Sequence, residues 1–289
     1  MPKINHILFP MDFSERCFSV VPFVESLASR YCARVTLLSV VQPFYYSAMG
    51  DPAGESVLVD TEELLRGLTT ELDTALTQNF LGLSVTRVAE LGDPAQVIAA
   101  FACLHGVDLI MMPTHGYGPF RRLLLGSVTA RVLHDAKCAV WTAAHVTEPP
   151  CHDDVVCQNI LCAVDVTPSS VSLLKWASDF SADAGAALRV VHVISGMEGS
   201  LSRQIDAEFE AEMRNAAFRT IEQLQVSAGV KATVSIAAGN VAGCVREAAL
   251  QYGADLVVIG RGVLEEKFGR LRTHAHGIIR QSPCPVLSV

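Results

Sequence analysis

No stretch of the 289-residue chain reaches the ~20 consecutive apolar residues that a membrane-spanning helix requires. The opening MPKINHILFPMD places Lys3 before a short apolar run that Pro10 and Asp12 interrupt, too short for the hydrophobic segment of a secretion signal. A soluble, cytoplasmic protein is the expectation. Charge is sparse: 18% of residues are charged and 50% are hydrophobic, which excludes a disordered chain and supplies ample material for buried cores. The net charge of −8 argues against non-specific binding to nucleic acid, because a phosphate backbone repels an acidic surface. Neither a nucleic-acid nor a membrane partner is therefore expected. A local anion site survives this argument, since backbone amides bind phosphate without net positive charge. The sequence Gly-Lys-Ser/Thr of a Walker loop is absent.

Cysteine is present nine times, an odd number, and without a secretion signal free thiols are expected. Cys103, Cys138, Cys162, Cys244 and Cys284 lie in or beside apolar runs and read as buried small hydrophobes. Cys151, His152 and Cys157 fit no common zinc spacing, so no metal site is assigned.

The chain repeats itself. Residues 7–12 (ILFPMD) match 160–165 (ILCAVD), and 35–40 (VTLLSV) match 188–193 (LRVVHV). Residues 108–112 (DLIMM) match 255–259 (DLVVI), and 138–141 (CAVW) match 284–287 (CPVL). These runs are short, β-rich and show little polar alternation, the pattern of strands buried on both faces of a parallel sheet. Helical signals separate them. Ser14 and Glu15 start a helix, residues 62–77 carry Leu64, Leu65, Leu68, Leu72 and Leu76 at helical spacing, and residues 205–224 are similar. Asp93-Pro94 opens another helix, and Asn240 is its counterpart. The implied fold is α/β: two tandem open parallel five-stranded sheets with helices on both faces, of the Rossmann-like, doubly wound kind. Residues 147–154, with Pro149, Pro150 and three acidic side chains, separate a domain at 1–147 from one at 155–289. Residues 44–54 form the longest irregular segment of the first half and suit a cover over a site.

In an open α/β sheet, ligands bind beyond the carboxyl ends of strands where strand order reverses. Asp12 ends the first strand there, and a glycine-bearing loop follows the fourth. Gly116 and Gly118 permit close backbone approach, and Gly126-Ser127-Val128-Thr129 then opens a helix. A helix start offers unpaired N–H groups and partial positive charge to phosphate oxygens, and the Ser127 and Thr129 hydroxyls add donors. The loop is not a dinucleotide fingerprint, because Gly116-x-Gly118 is followed at the third position by Arg121. Arg121, Arg122 and His115 either reach phosphate or serve only the loop.

The stretch Thr114-His115-Gly116, nine residues, then Gly126-Ser127, resembles the ATP-binding signature of the universal stress protein family. That signature runs Gly, two residues, Gly, nine residues, Gly, then Ser or Thr. The opening strand and turn at residues 7–14 resemble the family as well, and the resemblance covers nearly the whole chain twice. It implies a stress-response protein that binds ATP, ADP or AMP, with or without Mg²⁺, and acts as a regulatory module. A slow ATP hydrolase or phosphotransferase and a nucleotide-independent scaffold are the alternatives. By position, the resemblance implies that Pro10, Met11, Asp12 and Val40 line the adenine and ribose end. Met112, Thr114, His115, Gly116, Gly126, Ser127, Val128 and Thr129 would surround ribose and phosphates. Pro113 departs from the signature by replacing its first glycine and removing an N–H.

The second half departs further. Val263 takes the second glycine's place, Thr273-His274 replaces Gly-Ser, and Glu265 and Glu266 put negative charge in the loop. Asp165 persists but reads as a helix cap. His274 and His276 are two apart on a helix and face different ways, so they make no metal pair. One nucleotide per chain follows. The family resemblance also implies dimerisation, with residues 138–142 and 285–289 as pairing edges. That leaves an intramolecular pseudo-dimer of the repeats or a homodimer of chains.

Overall fold

The computed structural model describes residues 4–42, 61–115, 125–143, 157–195, 203–261 and 271–289, with backbone alone for 203–207 and 271–273. Gly116, Gly118, Arg121, Arg122, residues 44–54 and 147–154, and the loop residues 262–270 lie outside the described residues.

Two compact units emerge. The first holds β1 (His6–Met11), α1 (Glu15–Phe18), α2 (Val21–Tyr31), β2 (Arg34–Val41), α3 (Thr61–Thr74), β3 (Val85–Leu91), α4 (Pro94–Leu104), β4 (Leu109–Met112) and α5 (Ser127–Asp135). Its strands run parallel in the order β3-β2-β1-β4. Every residue of β1 and β4 is buried, so both faces of these strands must be covered, as helical crossovers on either side of a parallel sheet do. The chain steps outward from β1 to β2 and β3, then returns to place β4 on the other flank of β1. Strand order thus reverses between β1 and β4. The edge strand β3 is only half-buried, with Thr86 and Glu90 exposed.

The second unit holds β5 (Ala139–Thr142), β6 (Asn159–Ala163), α6 (Ser170–Ala184), β7 (Ala187–Ile194), α7 (Arg203–Ala228), β8 (Thr233–Ala238), α8 (Val241–Tyr252), β9 (Leu256–Ile259), α9 (Leu271–Gln281) and β10 (Val286–Ser288). Its order is β5-β10-β9-β6-β7-β8, parallel apart from the β5–β10 pair. The strand that ends the first sequence repeat therefore clusters with the second. It pairs antiparallel with the terminal strand, Trp141 opposite Leu287, and Trp141 is buried. The two terminal runs read as pairing edges meet in this ladder.

Local sequence explains the helix starts. Ser14 caps α1 by accepting from the Cys17 N–H at 3.1 Å. Asp93 caps α4 through Gln96 at 3.0 Å, and Asn240 caps α8 through Gly243 at 3.0 Å. Leu72 is the buried anchor of α3, whereas Leu76 falls beyond its end with a positive φ of 55°. A carboxylate repeats at the opposite end of each sheet. Asp108 Oδ2 accepts from the Asn5 and His6 N–H groups at 2.8 and 3.0 Å. Asp255 Oδ2 does the same for Gln158 and Asn159 at 2.8 and 2.9 Å. These bonds clamp the start of each central strand to the turn preceding its neighbour.

The cysteines divide by burial. Cys162 and Cys284 are buried as expected, Cys138 and Cys244 are half-buried, and Cys103 is exposed, contrary to the reading of its apolar run. Gln96 is the one strongly polar side chain of α4 and is exposed, and Cys103 lies two turns on along the same face, so a single residue marks the side that meets water. Burial pushes the Cys17 and Cys162 thiols up to about 12 and that of Cys284 up to about 11. With a pKa near 12, on the order of one thiol in ten thousand is ionised at pH 8, and the thiolate is the reactive form. Alkylation of the folded protein at pH 8, read by mass spectrometry, is expected to mark Cys32 and Cys103 and spare Cys17, Cys162 and Cys284 until denaturant is added. Rapid native labelling of Cys17 would contradict this burial.

Candidate functional site

The carboxyl ends of β2, β1 and β4 gather the sequence-derived residues at the point of strand reversal. Pro10 and Met11 finish β1 and are buried, whereas Asp12 just beyond them is exposed. The backbone turns sharply at Phe13, whose φ of 57° is left-handed. This turn lets Asp12 Oδ1 accept from the Ser14 N–H at 3.1 Å and the Ser14 hydroxyl at 2.6 Å. Asp12 is thereby fixed beside the start of α1, one carboxylate oxygen held in the turn. On the neighbouring strand the Ser39 hydroxyl donates to the Met11 carbonyl at 3.0 Å. Val40 follows, half-buried.

Met112, which ends β4, and Pro113, Thr114 and His115 beyond it are all buried. The register Leu8↔Ile110 sets this segment beside the end of β1. Three bonds shape it. The Gly126 N–H donates to the Thr114 carbonyl at 2.8 Å, the Thr129 hydroxyl donates to the Pro113 carbonyl at 3.0 Å, and His115 Nδ1 lies 3.0 Å from the Thr114 hydroxyl. The loop that leaves after His115 thus returns at Gly126 to meet Thr114. A Cβ on Gly126 would stand 3.1 Å from the Thr114 carbonyl oxygen and 3.4 Å from the His115 Cα. Glycine is required here by backbone crowding, not by φ, which is an ordinary −59°.

Gly126 is also the N-cap of α5, and no side chain caps that helix. The first-turn amides of Ser127, Val128 and Thr129 have no intrahelical acceptor, which leaves donors and partial positive charge at this end. Ser127 is exposed and Val128 half-buried. The Thr129 hydroxyl proton is committed to Pro113, so it positions the loop in place of the donor to phosphate read from sequence. Pro113 contributes its carbonyl to that bond although it lacks an N–H. Gly116 is the one sequence-derived site residue outside the described residues. Ser39 and Ser14 are the two that sequence reasoning missed as site neighbours; Ser39 is legible as a hydroxyl near the carboxyl end of the apolar run of β2.

The second unit is built differently at the corresponding edge. His192 replaces Ser39, and its Nδ1 donates to the Val164 carbonyl at 2.8 Å from a buried position. Asp165 is exposed and does not cap α6. Its main-chain carbonyl accepts from the Ser170 hydroxyl at 2.6 Å, and the N-cap of α6 is Ser169. The cap reading of Asp165 is corrected: the turn after β6 is longer than the one after β1, which moves the helix start away from the aspartate. Gly260 follows β9 where Pro113 follows β4. Among the described residues, no cluster of His, Cys, Asp and Glu suits a metal ion, and no helix is long and apolar enough to cross a membrane.

The model of the universal stress protein family matches residues 3–143 and again 157–289. The chain belongs to the universal stress protein family, with two of its domains in tandem. It is similar to a universal stress protein of Methanocaldococcus jannaschii, 30% identical over 141 residues that make up 44% of this chain and 86% of that protein. Universal stress protein A homolog 1 of Coxiella burnetii is 30% identical over 140 residues, 46% of this chain and 95% of its own. A solved universal stress protein from Archaeoglobus fulgidus matches with a TM-score of 0.68 at 21% identity, covering 99% of this chain and 98% of that one. At that identity the likeness concerns the fold, and it extends over both universal stress protein domains.

Proposed function

We propose that the first universal stress protein domain, at residues 1–147, binds one adenine nucleotide, ATP or its ADP or AMP relatives, and that the chain acts as a nucleotide-responsive stress module. The uncapped start of α5 behind Gly126 carries this reading. It presents the Ser127 and Val128 amides as donors, and the absent Cβ of Gly126 lets the Thr114–His115 backbone close against the helix start. Pro10, Met11, Asp12 and Val40 would take the adenine and ribose, with the Asp12 carboxylate as acceptor for ribose hydroxyls. Thr114, His115 and the amides of Ser127 and Val128 would face the phosphates, with Gly116 in the same loop and Gly126 and Thr129 holding it. The bound nucleotide would supply polyphosphate charge, with or without Mg²⁺, to an edge whose own contribution is donors and shape.

The second domain, at residues 155–289, is assigned a structural or regulatory role. Its His192, longer turn after Asp165 and Thr273-His274 in place of Gly-Ser do not reproduce the first domain's arrangement. We also read the β5–β10 ladder as the means by which the two repeats act as a pseudo-dimer within one chain, in the cytoplasm.

A thermal melt with and without ATP and Mg²⁺ tests the nucleotide reading. At about 100 times the dissociation constant, binding stabilises the folded state by about 2.7 kcal/mol. That raises the midpoint of a domain of this size by roughly 5–10 °C. An unchanged midpoint at millimolar ATP would remove the proposal.

A further inference from the structure

We propose that His6 is a proton-operated latch at the amino edge of the first unit's sheet. Neutral, it accepts a hydrogen bond from Arg34; protonated, it donates from the same ring nitrogen to the His105 carbonyl and releases the arginine. The argument begins with which atoms have protons to give. Arg34 Nη2 lies 3.0 Å from His6 Nδ1 and 3.2 Å from the His105 carbonyl oxygen. A guanidinium only donates, so Nδ1 must be the bare, accepting nitrogen of a neutral ring. The single ring proton then resides on Nε2, which donates to the Thr36 hydroxyl oxygen at 2.8 Å. The latch rests on this tautomer.

The same atoms define a second arrangement. His6 Nδ1 stands 3.3 Å from the His105 oxygen, two acceptors that cannot bond each other while the ring is neutral. Arg34 bridges them. A proton arriving on Nδ1 converts the pair into donor and acceptor, and it opposes Arg34 with both an N–H and a like charge. His6 is buried at 4% exposure and is held on three sides, whereas Arg34 is exposed, so the arginine is the partner that leaves.

The charged and titratable groups facing the ring are Arg34 from β2, and His105 and Asp108 from the turn between α4 and β4. Asp108 holds the His6 N–H at 3.0 Å, and the His105 ring is stacked on Phe101 at 4.0 Å between centroids. Burial first, and then the Arg34 charge, hold His6 below its ordinary value of 6.5, while the bond to the His105 carbonyl and the Asp108 charge oppose that shift. The latch therefore stays closed at neutral pH and opens on acidification below the ordinary imidazole range. A lowered folded-state pKa means that the unfolded chain binds more protons in this window. Stability is full above pH 6.5 and is lost as pH falls towards the folded pKa.

The device ties β1, β2 and the approach to β4 at one end of the strands whose other ends form the candidate site. It belongs to the first repeat alone: Asn159, Ala187 and Arg189 stand where His6, Arg34 and Thr36 do in the first repeat.

Nuclear magnetic resonance on the full chain with ¹⁵N-labelled histidine and arginine tests it. At pH 7.5 His6 is expected as the Nε2–H tautomer. Its titration midpoint should fall below 6.5, and the Arg34 side-chain signals should shift with the same midpoint. In Arg34→Gln, a change at an exposed position, the His6 midpoint should move upward. An Nδ1–H tautomer at neutral pH, Arg34 signals that ignore the His6 titration, or an unmoved midpoint in Arg34→Gln would each overturn the latch. The tautomer and the arginine signals are read on the unaltered protein, so they do not depend on the variant folding.

Discussion

Replacing Gly126 by Val is expected to abolish the nucleotide-dependent rise in melting midpoint. The position already carries an ordinary φ, so the valine backbone is unstrained there and the effect comes from contact. The first added carbon would lie 3.1 Å from the Thr114 carbonyl oxygen and 3.4 Å from the His115 Cα, both backbone atoms that cannot swing aside. The Thr114 oxygen also receives the Gly126 N–H at 2.8 Å, so pushing it away breaks the bond that seats the start of α5. Gly126→Ala should displace the helix start by a few tenths of an ångström and weaken binding. The two further methyl groups of Val exceed what the site can absorb, at a stability cost of about 1–3 kcal/mol. Substituting Thr273, its counterpart in sequence, should leave the midpoint shift intact. Equal losses from Gly126→Val and a Thr273 variant would refute the asymmetry between repeats.

The second large effect is on stability. Phe9 lies in β1, opposite Leu37 of β2, and is fully buried. Both faces of β1 are covered, so Phe9→Ala removes aromatic packing and leaves a cavity that the surrounding strands cannot close. A loss of about 3–5 kcal/mol is expected. The first unit's thermal transition should fall by roughly 10 °C. The chain divides into two compact units, so scanning calorimetry is the suitable readout: the loss is expected in one transition, with the other left in place. A shift below about 2 °C would show that β1 is not the centre of this core.

The fold was largely legible because it is written in local signals. Continuous apolar runs ending in Asp12 and Asp165 marked the central strands, and Ser14, Asp93 and Asn240 marked helix starts that the structure shows as caps. What sequence did not carry was long-range. The clustering of β5 with the second unit depends on β10, more than a hundred residues away, and an isolated four-residue run does not name its partner. The exposure of Cys103 was easy to miss because only Gln96, two turns earlier on the same face of α4, signals the direction of solvent.

The candidate site was legible in outline and not in its bonding. Residue spacing brought Asp12, Thr114 and Gly126 to one edge. Sequence could not tell that the Thr129 hydroxyl is spent on the Pro113 carbonyl, or that Ser39 reaches the Met11 carbonyl from the next strand. The repeat set His192 at the Ser39 position but did not reveal that its ring holds the equivalent carbonyl. Those roles depend on which group is nearest in space, and a hydroxyl in a sequence advertises capacity without a partner.

The central claim is that one repeat of this tandem universal stress protein binds an adenine nucleotide and the other does not. Isothermal titration of the full chain with ATP and Mg²⁺ measures it most directly. The account predicts a single site per chain that disappears in Gly126→Val. Two equivalent sites, or one that persists unchanged in that variant, would contradict it.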